Sequence, residues 1–366
     1  MVVSDPRLET AISMNDVLLD RGIRHGVFIE RLKTQQAKVF LEYLNSEVLP
    51  DILDRLESDL RRSGMRRPIS ESRRLRSMVQ RIRSMTVEGI GEAGRTLRTE
   101  LVQIGYSEAA FQLQAIQAAS PVGLGLNSVP RNLIRATLTT QPMEGKLLSQ
   151  WLSGLSRTTV DQIAAEVNRG VLAGDSVQDI VRRVRGTRPL GFKDGVFATT
   201  RRNAETIVRT SVAHITSQAA RLTYSENTDV IKGVRFVATL DAKTTPICGS
   251  LDGRVFKPDE AYPQPPLHMN CRSRIAPVTK SWREMGLDGD DLPRSTRASM
   301  NGQVPADLTY TQWLRSQPAS IQDEILGPGR AALYRRGKLN FDKFVDNRGN
   351  PLSLQELERL EGLSGK

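Results

Sequence analysis

The sequence predicts an α+β fold that is mainly α. A helical, arginine-rich N-terminal region over 1–190 leads into a small α+β module with a short antiparallel sheet over 191–300, and a helical C-terminal extension covers 301–366. Three observations predict this. Apolar residues recur three or four apart along most of the chain, the period of helices with one inward face. Strand-like alternation is confined to 234–278. Both cysteines and one of the three histidines fall in that same stretch.

At 366 residues the chain can build two domains with real cores. A formal charge of +11 and a pI near 9.9 point to an acidic partner, nucleic acid first. A solvated, arginine-rich surface is the plainer account of the same charge. No window approaches the ~20 apolar residues of a membrane span, and the N-terminus lacks an apolar signal segment. Secretion, membrane insertion and a membrane partner are therefore not expected. Two cysteines do not make a disulfide framework and suit a reducing cytoplasm.

In chain order, residues 1–20 give no strong signal and read as a flexible arm. Ile29, Leu32, Val39, Phe40, Tyr43, Leu44 and Val48 then mark an amphipathic helix. Pro50 falls where it breaks or restarts, and Ile52, Leu53, Leu56 and Leu60 continue the stripe. Between Arg61 and Glu100 stand eleven arginines and no lysine, against four glutamates, a net +7. Leu75, Met78, Val79 and Ile82 lie at helical spacing, which puts Arg73, Arg74, Arg76, Arg81 and Arg83 mostly on other faces. Arginine suits bidentate contact with phosphate, so these five are the candidate nucleic-acid residues, and a solvated helix face is the alternative. Aromatics that could stack on bases are missing, so no sequence preference is expected.

Residues 119–130, rich in glycine and proline, read as a connector. Leu147, Leu148, Trp151 and Leu155 predict one helix, and Val160, Ile163, Ala164, Val167 and Val171 another. Ser176 with Asp179 resembles a capping box before a short helix bearing Ile180, Val181 and Val184. Arg182, Arg183, Arg185 and Arg188 lead into a loop through Gly195. Ala204, Ile207, Val208, Ile215 and Leu222 set the core face of the next helix.

Val234, Phe236, Ala238 and Leu240 alternate with Arg235, Val237 and Thr239, which predicts a strand with one buried face ending at Asp241. Leu251-Asp252-Gly253 supplies a turn, Arg254-Val255-Phe256 a return strand, and Arg274–Val278 a third. Lys257–Met269 carries four prolines and little apolar content, so something must tie it down. Cys248, His268 and Cys271 offer two thiols and an imidazole. Zinc accepts such donors, with Asp241, Asp252 or water as the fourth. One structural zinc is thus expected, with Cys248, His268, Cys271 and Asp241 as its ligands. A metal-free polar cluster and a Cys248–Cys271 disulfide are the alternatives.

Asp241, Cys248, Leu251-Asp252-Gly253, Phe256 and Pro266-Leu267-His268-Met269-Asn270-Cys271-Arg272 together resemble the phage Mu F-like family. These are minor head, or head-morphogenesis, proteins of tailed bacteriophages. Arg209-Thr210-Ser211 is similar to that family's arginine-threonine motif. Trp313-Leu314, Gln317, Gln322, Leu326-Gly327, Arg330 and Gly337 resemble the tail end of many members. The resemblance covers roughly residues 200–340. Many members have cysteines where this chain has Thr245 and Ser273, which thins a metal site. The resemblance implies a virion protein of the head interior or portal vicinity, passing through the host cytoplasm during assembly. Implied partners are portal, capsid and scaffolding proteins and packaged double-stranded DNA, with which it could be ejected.

No enzyme is expected. The deaminase signature is missing, His25 and His214 have no neighbouring triad residues, and no phosphate-cradling glycine motif occurs. The alternative is a metal-dependent nucleic-acid-processing or toxin-like enzyme using Asp241, Cys248, His268 and Cys271.

Overall fold

The computed structural model describes residues 14–64, 67–286, 296–305, 307–336, 341–346 and 350–360. Its elements in order are α1 (Met14–Tyr43), α2 (Leu49–Ser63), α3 (Arg73–Ala118), α4 (Arg131–Thr140), α5 (Leu148–Ala173), α6 (Val177–Arg185) and α7 (Val196–Ser225). There follow β1 (Ile231–Val237), α8 (Pro246–Leu251), β2 (Val255–Phe256) and β3 (Arg274–Thr279). The chain continues with β4 (Thr296–Ser299), β5 (Gly302–Pro305), α9 (Tyr310–Arg315), α10 (Ala319–Leu326), α11 (Pro328–Arg335) and α12 (Leu354–Leu360). The fold is α+β and mainly helical. Of the arm expected over 1–20, residues 1–13 lie outside the described residues, and helix begins at Met14.

Two compact units share the chain, and neither is continuous in sequence. One is made of Arg31–Ile104 and Asn132–Ile215, and the other takes the remainder, so α1, α3 and α7 each contribute to both.

The first unit is built from helices. Its inward stripe is Lys33, Ala37 and Phe40 of α1 followed by Leu44 and Val48 just beyond it, all buried, while Val39, expected inside, is 47% exposed. A single π turn, Leu44–Val48, joins α1 to α2. Pro50 sits in the first turn of α2, directly after the π turn. Ile52, Leu56 and Leu60 of α2 and Leu75, Met78 and Ile82 of α3 are all at most 1% exposed. The two helices expected between 147 and 171 form one, α5, because Leu148, Leu152, Leu155, Thr159, Ile163 and Val167 make one unbroken inward stripe. Ser176 caps α6 by accepting the Asp179 N–H at 3.1 Å.

The second unit holds the sheet, ordered β2-β1-β3 and antiparallel throughout. Val234 pairs with Phe256 on one side and Pro277 on the other, and Phe236 pairs with Ile275. The expectation of one buried face is corrected here. Val234 and Ile275 join a core with Leu18, Ile116 and Tyr224, while Val237 and Ala276, on the opposite face, pack against Leu19. Helix α1 covers that second face, so Val237 is buried although it stands on the side of Arg235 and Thr239. Two elements here were not expected from the sequence. They are the short helix α8, which starts on Pro246, and the β4–β5 hairpin, whose second strand falls in the C-terminal part expected to be helical. Beyond the hairpin, Tyr310, Trp313, Leu314, Tyr334, Phe341 and Phe344 form an aromatic core.

Candidate functional site

The loops flanking β1 and β3 bring the Cys/His residues together. Thr245 caps α8 in extended conformation, which carries Cys248 into the interior at 1% exposure. His268 to Cys271 is a tight turn, closed by the Cys271 N–H on the His268 carbonyl at 3.2 Å. Asn270 takes the left-handed conformation it needs, φ 60°, which asparagine tolerates better than most residues. Cys248 Sγ lies 3.7 Å from Cys271 Sγ and 3.3 Å from His268 Nε2, with no disulfide between the two thiols. His268 Nδ1 donates to the Met269 carbonyl at 2.9 Å, which leaves Nε2 as the nitrogen facing the thiols.

The spacing suits zinc. Zn–S bonds of about 2.3 Å and a Zn–N bond of about 2.0 Å, at tetrahedral angles, put two sulfurs about 3.8 Å apart and sulfur about 3.5 Å from nitrogen. The donor atoms of Cys248, His268 and Cys271 all lie within 4.8 Å of one another, so the group could hold a metal ion. Thr245 Oγ1 stands 3.0 Å from His268 Nε2, and the hydroxyls of Ser273 and Thr245 both favour the ionised form of Cys248. The two positions where many family members have cysteines therefore face the same centre with hydroxyls. The hydrogen bond between the thiols splits their acidities. It drives Cys271 well below the ordinary thiol range, and with burial it drives Cys248 well above.

Asp241 is elsewhere. Its two oxygens accept Arg272 Nη1 at 2.5 Å and Nη2 at 2.7 Å, a bidentate pair. Burial opposes its ionisation, but Arg272 outweighs it and holds the carboxyl below its usual range. Asp252, the other carboxylate near the turn, is fully engaged. It accepts the Ala238 and Tyr310 N–H groups, each at 2.8 Å, and both prongs of Arg297. Composition and spacing gave no sign that Arg297, over forty residues on, would close this turn. The sequence points to Asp252 by its turn with Gly253 and as a candidate zinc donor, not as the partner of an arginine.

The five arginines of α3 divide. Arg81 gives Nε and Nη2 to Asp59 Oδ2, at 3.1 and 2.8 Å. Arg74 donates to the Arg62 carbonyl at 3.0 Å, and Arg73 and Arg74 line one concavity with Arg81. Arg76 turns back onto the Ile69 and Ser70 carbonyls, and Arg83 faces Asp161 of α5 at 3.9 Å. Of the arginine-threonine motif, Arg209 donates to Thr34 Oγ1 at 2.9 Å. The Thr210 and Ser211 hydroxyls bond carbonyls four residues back in α7.

No curated protein and no solved structure matches the chain. Residues 161–276 match the family described as Phage Mu protein F like protein. The matched segment runs from α5 into β3 and contains Arg209-Thr210-Ser211 and the whole Cys248/His268/Cys271 centre. Trp313 to Arg330 lie beyond it, and Gly337 lies outside the described residues. Over this segment the chain is similar to the phage Mu F-like family.

Proposed function

We propose that this protein is a minor head component of a tailed bacteriophage, built into the virion during head morphogenesis. The family match over 161–276 carries the reading. Its partners on this reading are portal, capsid and scaffolding proteins and packaged double-stranded DNA, which the arginines of α3 contact without base preference. It resides in the head interior or near the portal, and it leaves with the DNA if it is bound more tightly to DNA than to the shell.

The Cys248/His268/Cys271 centre has a structural role on this reading. A zinc ion held by Cys248, His268 and Cys271, with water completing the set, would fasten the proline-rich Lys257–Met269 segment to the end of β1 and the start of β3. Two features support fastening over turnover. Asp241, the only carboxylate proposed as a catalytic partner, is committed to Arg272, and the thiols are about 1% exposed.

Mass spectrometry of purified full, empty and DNA-ejected particles tests the proposal. Detection at a low, fixed number of copies in full particles supports it, and loss after ejection supports departure with the DNA. A protein absent from particles, or one that cleaves nucleic acid and stops doing so on His268→Ala, overturns it.

A further inference from the structure

The last turns of α2 and the first turns of α3 line a concavity of about 780 Å³ that holds five guanidinium groups, those of Arg55, Arg62, Arg73, Arg74 and Arg81. One carboxylate, Asp59, lies among them, its side chain 6% exposed. Arg55 reaches Asp59 at 3.0 Å, Arg62 at 2.8 Å and Arg81 at 2.8 Å. Burial disfavours the charge on Asp59, but the three guanidiniums outweigh it and hold the carboxyl below its ordinary range. Asp59 is thus permanently ionised at neutral pH, and it orients three arginines whose side chains remain 37%, 65% and 42% exposed.

The charges do not balance. Five cations face one anion, and each guanidinium carries five N–H donors, of which Asp59 occupies one or two. Arg74 spends a single donor on the Arg62 carbonyl, and Arg73 has no partner among the described residues. Converging guanidiniums with donors to spare match a phosphate group, which presents several oxygens and a full negative charge. No aromatic side chain lines the concavity, so it has nothing to stack on a base.

We propose that this basin binds backbone phosphates of double-stranded DNA, with Asp59 as a positioning residue that arrays Arg55, Arg62 and Arg81. The proposal rests on the DNA contact proposed above and narrows it. Arg73, Arg74 and Arg81 belong to the site together with Arg55 and Arg62, while Arg76 and Arg83 do not.

Binding of the full-length protein to a duplex of arbitrary sequence, followed by fluorescence anisotropy across a salt series, tests this. Arg73→Gln with Arg74→Gln is compared with Arg95→Gln with Arg98→Gln, an exposed pair further along the same helix that removes equal charge. The basin pair is expected to lose about tenfold in affinity and about two units of salt slope, the control pair less than about twofold. Inorganic phosphate should raise the melting temperature of the wild type and not of the basin variant. Equal losses in the two variants, or none in the basin pair, overturn the basin and leave DNA binding standing. A wild type that responds to phosphate but ignores the duplex at low salt overturns the DNA assignment and leaves a site for free phosphate.

Discussion

Arg297 reaches Asp252 with both prongs of its guanidinium, Nη1 to Oδ2 at 3.0 Å and Nη2 to Oδ1 at 3.2 Å. The guanidinium side chain is 5% exposed and the carboxylate 0%, and Arg297 also donates to the Ala238 and Leu308 carbonyls. This pair ties β4 and the start of α9 to the turn after α8. Removing one partner strands a buried charge, so Arg297→Met should cost about 3–5 kcal/mol of unfolding free energy. Adding Asp252→Asn should recover part of it, since the amide oxygen still accepts one N–H. Urea unfolding of the two variants measures this, and an unchanged midpoint for Arg297→Met would deny the pair its role.

If zinc fastens the Lys257–Met269 segment, protein purified without chelator should carry about one zinc per chain. Cys271→Ser should lose most of the metal and lower the melting temperature. Ligation must take the proton that burial and Cys271 hold on Cys248, so metal affinity should fall as pH falls. Loosening by reductant alone, in metal-free protein, would identify a disulfide. Indifference to both treatments would leave the polar cluster of Asp241, Asn270 and Arg272 as the tie.

His214 gives a pH signature. Its ring is 5% exposed and hydrogen-bonds the Gln141 carbonyl at 3.1 Å, and burial lowers its pKa from 6.5 to about 4. Between these values the unfolded chain takes up a proton that the folded ring refuses. Stability from this group is therefore complete above pH 6.5 and drains away as pH falls toward 4. The expected slope is about 1.4 kcal/mol per pH unit. His214→Gln should flatten it, which denaturant titrations at pH 7 and pH 5 would read; parallel curves for the two proteins would refute it.

A fourth test concerns Gly26. A Cβ there would stand 1.5 Å from the Arg274 guanidinium, which donates to the Gly22 and Ile23 carbonyls of α1. Gly26→Ala must push a half-buried guanidinium off those acceptors and should cost about 1–3 kcal/mol. Arg274→Met added to it should cost less than the sum of the single changes, because the clash disappears with the guanidinium. Simple additivity in thermal melts would mean the two residues do not interact.

The sequence by itself determined what depends on near neighbours. The period of Leu75, Met78 and Ile82 gives the inner face of α3, and the alternation from Val234 places β1 and its hairpin partner. Ser176 and Asp179 announce the start of α6, and the two cysteines and His268 announce a shared centre. Each of these is written by propensity, capping or spacing within a stretch of about two dozen residues at most. Tertiary structure alone decided the rest. It covered the second face of β1 with Leu19 and divided α1, α3 and α7 between two compact units. It gave Asp241 to an arginine 31 residues away and Asp252 to one 45 residues away. It also split one run of arginines into a basin around Asp59 and side chains turned elsewhere. A charged side chain takes whichever opposite charge the fold brings within about 4 Å, and burial makes that choice binding because a stranded charge is so costly. No period in the chain encodes that distance.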